Sequence, residues 1–273
     1  MRRGSGCVSL AHCLVALSLL APPARADTLK VVGAGSLTAA FSDLLRHFPA
    51  GPDSVATPEF GASGLMREKI EAGLDADLFA SADMGQARRL AVGHADRPVI
   101  LFTRNRLCAV AKAAVGLTPA NMLDRLLDPA VRIATSTPGA DPGGDYAWAV
   151  FARAEVIHAG ARAALEAKAE ALLKTPPPVP GKSRLEGLFI SDRADVALVY
   201  CSGAPAVAGA VQGLTVVPLP PDLTVIPAYG MVPLNTKPVT LRFATFVMSE
   251  GGQAILRAHG FDPVAAAEPA PPP

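Results

Sequence analysis

Gly35-Ser36-Leu37-Thr38 and Gly61-Ala62-Ser63-Gly64-Leu65 each place a serine where an apolar strand is expected to turn into an amphipathic helix. After the first serine, apolar residues recur at the i, i+3, i+4 and i+7 spacing of one helix face. These residues are Leu37, Ala40, Phe41, Leu44, Leu45 and Phe48. After the second serine the pattern is shorter, and Gly73 is placed to end it. The sequence therefore predicts two helices that begin at Ser36 and Ser63.

A serine at the start of a helix has two uses. Its side chain can cap the unpaired backbone N–H groups, for which serine is a preferred residue. Alternatively, the hydroxyl and those N–H groups can bind an anion, which the helix dipole favours at this end. Either serine alone leaves both uses open. Two such helix ends in one chain favour a clamp for a small anion.

Strands and helices alternate along the rest of the chain. The predicted strands are Leu29–Val32, a segment running into Phe60, 77–80, Leu107–Ala111, Val131–Thr135 and Val196–Tyr200. The further predicted helices are Met84–Val92, Thr118–Leu127, Tyr146–Ile157 and Ala161–Lys174. The continuous apolar run of Val196–Tyr200 is typical of a parallel strand that is buried on both faces. The alternation predicts the α/β class, and composition alone leaves open one doubly wound sheet or two lobes.

The first residues have the three parts of a secretory signal peptide. Met1-Arg2-Arg3 is basic, Cys7–Ala21 is apolar but too short to span a bilayer, and Ala24-Arg25-Ala26 is a small-x-small cleavage site. We therefore predict a signal peptide over residues 1–26, cleavage after Ala26, and a periplasmic protein. The tail 263–273, rich in alanine and proline, is predicted to be disordered.

Composition narrows the function classes. Half of the residues are apolar, 18% are charged, and the net charge is +1. These values argue against a nucleic-acid-binding surface and against a polybasic membrane patch. Nothing indicates an oligomer, so we expect a monomer. The histidines share no ligand-like spacing with one another or with the mature cysteines, so a structural zinc site is not predicted.

Two cysteines, Cys108 and Cys201, remain after removal of the signal peptide. An oxidising compartment favours a disulfide between them. Two buried free thiols are the alternative.

Several motifs occur in a fixed order along the chain. They are Val32-Gly33-Ala34-Gly35-Ser36-Leu37-Thr38, Phe60-Gly61-Ala62-Ser63, Ile70-Glu71-Ala72-Gly73, Ala76-Asp77-Leu78-Phe79-Ala80-Ser81-Ala82-Asp83, Asp141-Pro142-Gly143-Gly144-Asp145-Tyr146-Ala147 and Leu198-Val199-Tyr200-Cys201-Ser202. With these motifs the chain resembles the molybdate-binding periplasmic proteins of ABC transporters. The resemblance covers essentially the whole mature chain.

The resemblance implies an α/β, two-lobe periplasmic binding protein fold of type II, with the ligand cleft between lobes that two crossover strands join. Carried over, the first lobe comprises residues 27–103 and returns with residues 229–262. The second lobe comprises residues 104–228. Cys108 and Cys201 would then lie near the hinge side of the second lobe.

The resemblance also implies a ligand set. Ser36 and Ser63 match two serines that donate hydroxyl and backbone N–H groups to the oxyanion. Gly143 matches a backbone donor, and Tyr200 matches a tyrosine hydroxyl donor. The fifth position falls on Lys182, where relatives can carry an apolar residue that donates only its amide. A lysine there either points to solvent and donates its amide, or places a positive charge on the ligand.

These residues predict a non-catalytic binding protein that captures molybdate or tungstate and delivers it to an ABC transporter membrane permease. Molybdate or tungstate would be the ligand, and no cofactor is expected. A site of hydroxyl and amide donors alone would disfavour a protonated oxyanion such as hydrogen phosphate, which needs an acceptor. Two alternatives stay open: another small anion, admitted by Lys182, and a periplasmic hydrolase based on Ser63 or Cys201.

Overall fold

The computed structural model describes residues 26–174, 179–180 and 182–264. The predicted signal peptide lies outside the described residues except for Ala26, and so does the predicted tail from residue 265 onward. Within the described ranges, no helix is long and apolar enough to cross a membrane.

The strands and helices follow the predicted alternation. The strands are β1 Thr28–Leu29, β2 Val31–Ala34, β3 Ser54–Val55, β4 Glu59–Gly61, β5 Leu78–Ser81, β6 Ile100–Arg104, β7 Leu107–Lys112, β8 Ile133–Ala134, β9 Val196–Tyr200, β10 Leu214–Pro218 and β11 Ala228–Pro233. The α-helices are α1 Thr38–His47, α2 Ser63–Glu71, α3 Met84–Ala91, α4 Met122–Leu127, α5 Pro142–Ile157, α6 Ala161–Leu173, α7 Arg184–Ile190, α8 Ala204–Ala210, α9 Pro238–Met248 and α10 Glu250–Ala258.

The first sheet brings the two serine motifs together. Its strands lie in the order β4-β2-β5-β11-β6, with β2 parallel to both β4 and β5. The carboxyl ends of β2 and β4 therefore lie at the same edge of the sheet. Ser36 follows β2 in a short 3-10 turn that leads into α1, and Ser63 follows β4 as the first residue of α2. Both predicted strand-to-helix junctions are confirmed.

The second sheet is mixed. Its order is β10-β7-β9-β8, and β9 is antiparallel to β7 but parallel to β8. The prediction of a parallel setting for Val196–Tyr200 is therefore correct on one side only. The apolar run has another cause, which is burial on both faces: Leu198 packs in one cluster with Phe151, and Ala197 packs in another with Leu188.

The chain passes between the two sheets twice, from β6 to β7 and from β10 to β11. The strands β6 and β11, next to these passages, pair antiparallel with each other in the first sheet. Each sheet has its own core; in the first, Phe41 makes edge-on contacts with Phe102 and Phe243. The molecule is therefore an α/β protein of two lobes. The proposed lobe borders, after residue 103 and after residue 228, lie beside the two passages.

One helix begins later than predicted. Thr118 and Pro119 were expected to open a helix, but α4 begins at Met122. The Thr118 N–H donates to Asn121 Oδ1 at 2.7 Å, and the Asn121 N–H donates to Thr118 Oγ1 at 3.3 Å. These reciprocal bonds close a turn ahead of the helix. Thr and Asn side chains can bond to nearby backbone N–H groups, and so they compete with the backbone hydrogen bonds of a helix.

Candidate functional site

A cavity of about 420 Å³ lies between the two lobes. Ser36 and Ala62 line it from the first lobe, and Thr135, Gly143 and Tyr200 line it from the second. Of the five predicted ligand residues, the structure thus brings Ser36, Gly143 and Tyr200 to one cavity. Ser63 and Lys182 are not part of its lining.

The two lobes touch at the rim of this cavity. A Cβ atom added to Gly64, the second residue of α2, would lie 2.9 Å from the carbonyl oxygen of Ala140 in the opposite lobe. A real Cβ does not approach backbone so closely, so only glycine permits the contact. The lobes are therefore closed against each other at this point.

Ser36 does not cap its helix. Its side chain makes no cap hydrogen bond, and its Oγ lies 3.0 Å from the hydroxyl of Tyr229. Burial raises the pKa of Tyr229, while its hydrogen bonds with Ser36 and with Asn105 partly oppose that rise. Tyr229 is therefore a neutral phenol that holds the Ser36 hydroxyl at the cavity wall.

Ser63 has a different environment. It is buried, and its Oγ accepts a hydrogen bond of 3.1 Å from the backbone N–H of Ala82, just after β5. It makes no cap hydrogen bond to its own helix. A serine hydroxyl that accepts one bond keeps its own hydrogen for donation. Its neighbour Ala62 lines the cavity, so Ser63 lies beside the cavity. Its hydrogen bond with Ala82 connects the start of α2 to the end of β5.

Gly143 lies at the start of α5, which begins at Pro142 and not at Tyr146 as predicted. The cause is Asp141, whose side chain caps the helix: the Gly143 N–H donates to Asp141 Oδ1 at 3.0 Å. Asp145, which directly precedes the predicted helix start, instead accepts from the N–H of Gly139 at 2.8 Å. The backbone donor predicted for the ligand is thus engaged by a carboxylate that also lines the cavity.

Gly143 also keeps the cavity open. A Cβ at this position would lie 3.3 Å from Ser136 Oγ and 3.4 Å from Tyr200 Cε2. A side chain here would therefore press on two groups of the same wall.

Tyr200 ends β9, and its hydroxyl is buried. It makes no hydrogen bond of regular geometry in the described part of the chain, although the Tyr229 hydroxyl is close enough to interact with it. Burial is the main cause that raises its pKa well above the ordinary value, and the nearby Tyr229 hydroxyl and the Asp141 carboxylate add to the rise. The phenol is therefore neutral and remains a hydrogen-bond donor. Buried polar groups are nearly always paired, so this hydroxyl is available to a water molecule or to a ligand atom in the cavity.

Lys182, the fifth predicted residue, is not part of the cavity lining, whereas Ser183, the next residue, is. Lys182 is exposed, and its N–H donates to the carbonyl oxygen of Val179 at 3.4 Å. Arg184, at the start of α7, lines the cavity instead, and its guanidinium donates to the carbonyl oxygen of Leu173 at 3.1 Å. The positive charge of the wall thus comes from Arg184, which holds the end of α6.

Three hydroxyl residues that line the cavity, Thr135, Ser136 and Ser183, were not predicted from the sequence. Thr135 and Ser136 follow β8 directly, just as Ser36 closely follows β2, and Ser183 caps α7. In both places, after β8 and after β2, a small hydroxyl residue follows a short apolar strand. The same pattern after Ile133–Ala134 could have identified Thr135 as a candidate site residue. Elsewhere in the described residues, no group of three or more His, Cys, Asp and Glu side chains is arranged to hold a metal ion.

A disulfide joins Cys108 to Cys201, which are separated by 93 positions in the sequence. Cys108 lies near the start of β7, and Cys201 follows Tyr200 at the end of β9. The bond therefore ties these neighbouring strands at the end of the sheet where the Tyr200 side chain enters the cavity wall.

Residues 29–262 match the family model of the bacterial extracellular solute-binding proteins. The chain belongs to this family. Its members are transport proteins that work outside the cytoplasm with ABC transporter permeases and bind small ligands. The predicted class of protein is therefore confirmed, and the family consists of binding proteins and not of enzymes.

Individual relatives agree with this result. An uncharacterized protein of Pasteurella multocida strain Pm70 is 30% identical over 240 residues, which are 86% of this chain and 98% of that protein. The sulfate-binding protein SubI of Mycobacterium tuberculosis H37Rv superposes with a TM-score of 0.68 at 18% identity, over 87% of each chain. The periplasmic molybdate-binding protein of Azotobacter vinelandii superposes with a TM-score of 0.62 at 18% identity, over 85% of this chain and 98% of that one. The fold is therefore the two-lobe, type II periplasmic binding protein fold that the sequence predicted.

Proposed function

We propose that this solute-binding protein captures a small oxyanion, molybdate or tungstate, in the cavity between its lobes and delivers it to an ABC transporter membrane permease. The observation that carries the proposal is Tyr200, which lines the cavity and whose buried hydroxyl makes no hydrogen bond of regular geometry with the described residues. The sequence motifs around Ser36 and Ser63 favour molybdate or tungstate as the ligand.

The chemistry of the wall suits an anion that has lost its water. Each oxygen of such an anion needs donors, and hydroxyl groups of Ser36 and Tyr200 supply them without a full charge. A hydrogen bond to a charged group contributes about 1.5–3 kcal/mol. Several such bonds from fixed neutral groups offset the loss of hydration.

Ligand binding would favour the closed arrangement of the lobes. The contact of Gly64 with Ala140 brings the two lobes together at the cavity rim. A ligand that contacts both lobes binds the closed state more tightly, and so shifts the population toward it. The permease would then dock to the surface formed by closed lobes.

One observation favours a second candidate ligand. Asp141 adds a carboxylate to the cavity lining, so the wall is not made of donors alone as the sequence predicted. A carboxylate oxygen accepts a hydrogen bond, which a protonated oxyanion such as hydrogen phosphate needs. Hydrogen phosphate is therefore the second candidate. The alternative of another anion admitted by Lys182 would require this exposed side chain, which is not part of the lining, to turn toward the ligand.

The test is thermal unfolding of the chain from Asp27 onward with sodium molybdate, tungstate, sulfate, phosphate and chromate. A ligand at 100 times its Kd adds about 2.7 kcal/mol to the free energy of unfolding, which raises Tm by several degrees. We expect a shift with molybdate and tungstate. A shift with phosphate alone would assign the second candidate, and no shift with any anion would contradict the proposal.

Ser36→Ala tests the site. We expect this variant to weaken anion binding about tenfold or more, because it removes one charge-assisted hydrogen bond. Ser42→Ala is the matched control, since Ser42 is exposed on α1 and bonds only to its own helix through Thr38. Ser63→Ala is less clean, because it would also leave the N–H of Ala82 without its partner. Equal affinity in Ser36→Ala and Ser42→Ala would refute the role of Ser36.

A further inference from the structure

We propose that the hydroxyl of Thr135 is a ligand-binding group of the second lobe, which donates a hydrogen bond to an oxygen of the bound anion. The inference deepens the proposed function and rests on it. Neither the sequence motifs nor the family resemblance singles out this residue.

The burial of Thr135 is the first observation. Its exposed fraction is 2%, and its Oγ1 is buried with no hydrogen-bond partner in the described part of the chain. Leaving a buried hydroxyl unpaired costs free energy of folding, since the group gives up its bonds to water and gains none. A group of this kind in a native structure calls for a partner that the chain itself does not supply.

The position of Thr135 is the second observation. It directly follows β8 and lines the same cavity as Tyr200, whose buried hydroxyl makes no hydrogen bond of regular geometry with the described residues. Ser136 comes next in the chain. A Cβ atom added to Gly143 would lie 3.3 Å from Ser136 Oγ and 3.4 Å from Tyr200 Cε2, so these two side chains flank the same glycine. Thr135, Ser136 and Tyr200 are therefore three hydroxyl-bearing residues of the second lobe that line one cavity.

The first lobe contrasts with the second lobe. Its Ser36 hydroxyl is bonded to Tyr229, and its Ser63 hydroxyl accepts from Ala82. Among the residues that line the cavity, the buried hydroxyls that make no hydrogen bond of regular geometry in the described part of the chain are those of Thr135 and Tyr200, both of the second lobe. An anion with several oxygens is a class of ligand that accepts hydrogen bonds from more than one hydroxyl donor at once.

The test uses Thr135→Val, which keeps the shape of the side chain and removes the hydroxyl. Without ligand, this variant is expected to have the same Tm as the parent or a higher one, because no internal hydrogen bond is lost. With sodium molybdate, and with sodium phosphate as the second probe, isothermal titration is expected to show at least tenfold weaker binding. Thr135→Ser keeps the hydroxyl and is expected to stay within about threefold of the parent.

Each outcome has one meaning. A lower Tm of unliganded Thr135→Val would show that the hydroxyl has an internal partner and would overturn the inference. Binding equal to that of the parent would overturn it too, while leaving the proposed function in place. A parent chain that binds neither probe would refute the proposed oxyanion function and the inference with it.

Discussion

Gly143 is the residue where the fold and the proposed site constrain each other most closely. Its backbone N–H serves the cap of α5, and the space beside its Cα belongs to the cavity. The position predicted from the sequence lines the cavity, and its N–H donates to the Asp141 carboxylate. A sequence shows that a glycine follows a proline; it does not show that Asp141 folds back to occupy the amide.

Gly143→Ala is expected to weaken anion binding about tenfold with little change in Tm. The added Cβ would press on Ser136 Oγ and the Tyr200 ring, at 3.3 and 3.4 Å, and so displace hydroxyl groups of the wall. The control is Gly209→Ala in α8, where a Cβ meets nothing within 4 Å and alanine is the better helix former. Titration of both variants with molybdate checks this, and equal affinities would contradict it.

At the scale of elements, the start of α5 joins helix capping to the charge of the cavity. Asp141 performs both roles, since it accepts from the Gly143 N–H and also lines the cavity. The two roles can be separated, because asparagine also caps helices well and carries no charge.

Asp141→Asn is expected to keep the Tm of the parent and to bind a doubly charged anion more tightly, because a negative charge leaves the wall. Asp141→Ala is expected to lose about 1 kcal/mol of unfolding free energy with the cap. Urea unfolding and molybdate titration of both variants measure the two effects. If Asp141→Asn instead lost binding of phosphate, its carboxylate would be the acceptor for a protonated ligand.

A cluster of ion pairs ties elements of the second sheet together away from the cavity. Asp195, just before β9, accepts from Arg132 Nε at 2.7 Å and from Lys112 Nζ at 3.1 Å. The hydrogen bonds from Arg132 are the main cause that holds the pKa of Asp195 well below its ordinary value of 3.8. Since the folded state favours the ionised carboxylate, its contribution to stability is present above pH 3.8. That contribution is lost as the pH falls toward the lowered pKa.

Asp195→Asn should therefore lower the unfolding free energy at pH 7, by about 1.5–3 kcal/mol for a hydrogen bond to a charged group. In this variant, the unfolding free energy should also fall less steeply than in the parent as the pH drops below 4. Urea unfolding between pH 2 and pH 7 checks both effects, with the exposed Asp96→Asn as control. Equal pH profiles of parent and Asp195→Asn would contradict the assignment.

The elements also show what the sequence could and could not predict. The helices after Ser36 and Ser63 were predictable, because their apolar spacing and the stop at Gly73 are local signals, and Gly73 has the positive φ of 104° that favours glycine. The start of α4 was not, because it depends on reciprocal bonds between Thr118 and Asn121. The antiparallel partner of β9 depends on contacts between distant segments, which no local pattern encodes.

At the scale of the whole molecule, the two lobes followed from the resemblance to a known family, whereas composition did not distinguish them from one sheet. The same resemblance supplied the predicted site residues, whose ligand contacts remain predictions. Ser36, Gly143 and Tyr200 sit in motifs and line the cavity, but Lys182 was placed by counting and is exposed outside it. Burial of the Thr135 hydroxyl arises only when the lobes fold.

The disulfide belongs to this scale, because it closes a long loop of the second lobe. Cys108→Ser with Cys201→Ser is expected to lower the unfolding free energy by about 2–4 kcal/mol, mainly by freeing the unfolded chain. Urea unfolding of the oxidised parent and the double variant measures this. Unchanged stability would show that the cross-link restricts the unfolded state little.

The central claim is that the closed lobes hold one oxyanion per chain and release it unaltered. Isothermal titration of the chain from Asp27 onward with sodium molybdate, followed by recovery of the anion after mild unfolding, tests it most directly. The account predicts saturable binding of one molybdate per chain and full recovery of the anion. No binding of molybdate, tungstate or phosphate would contradict it.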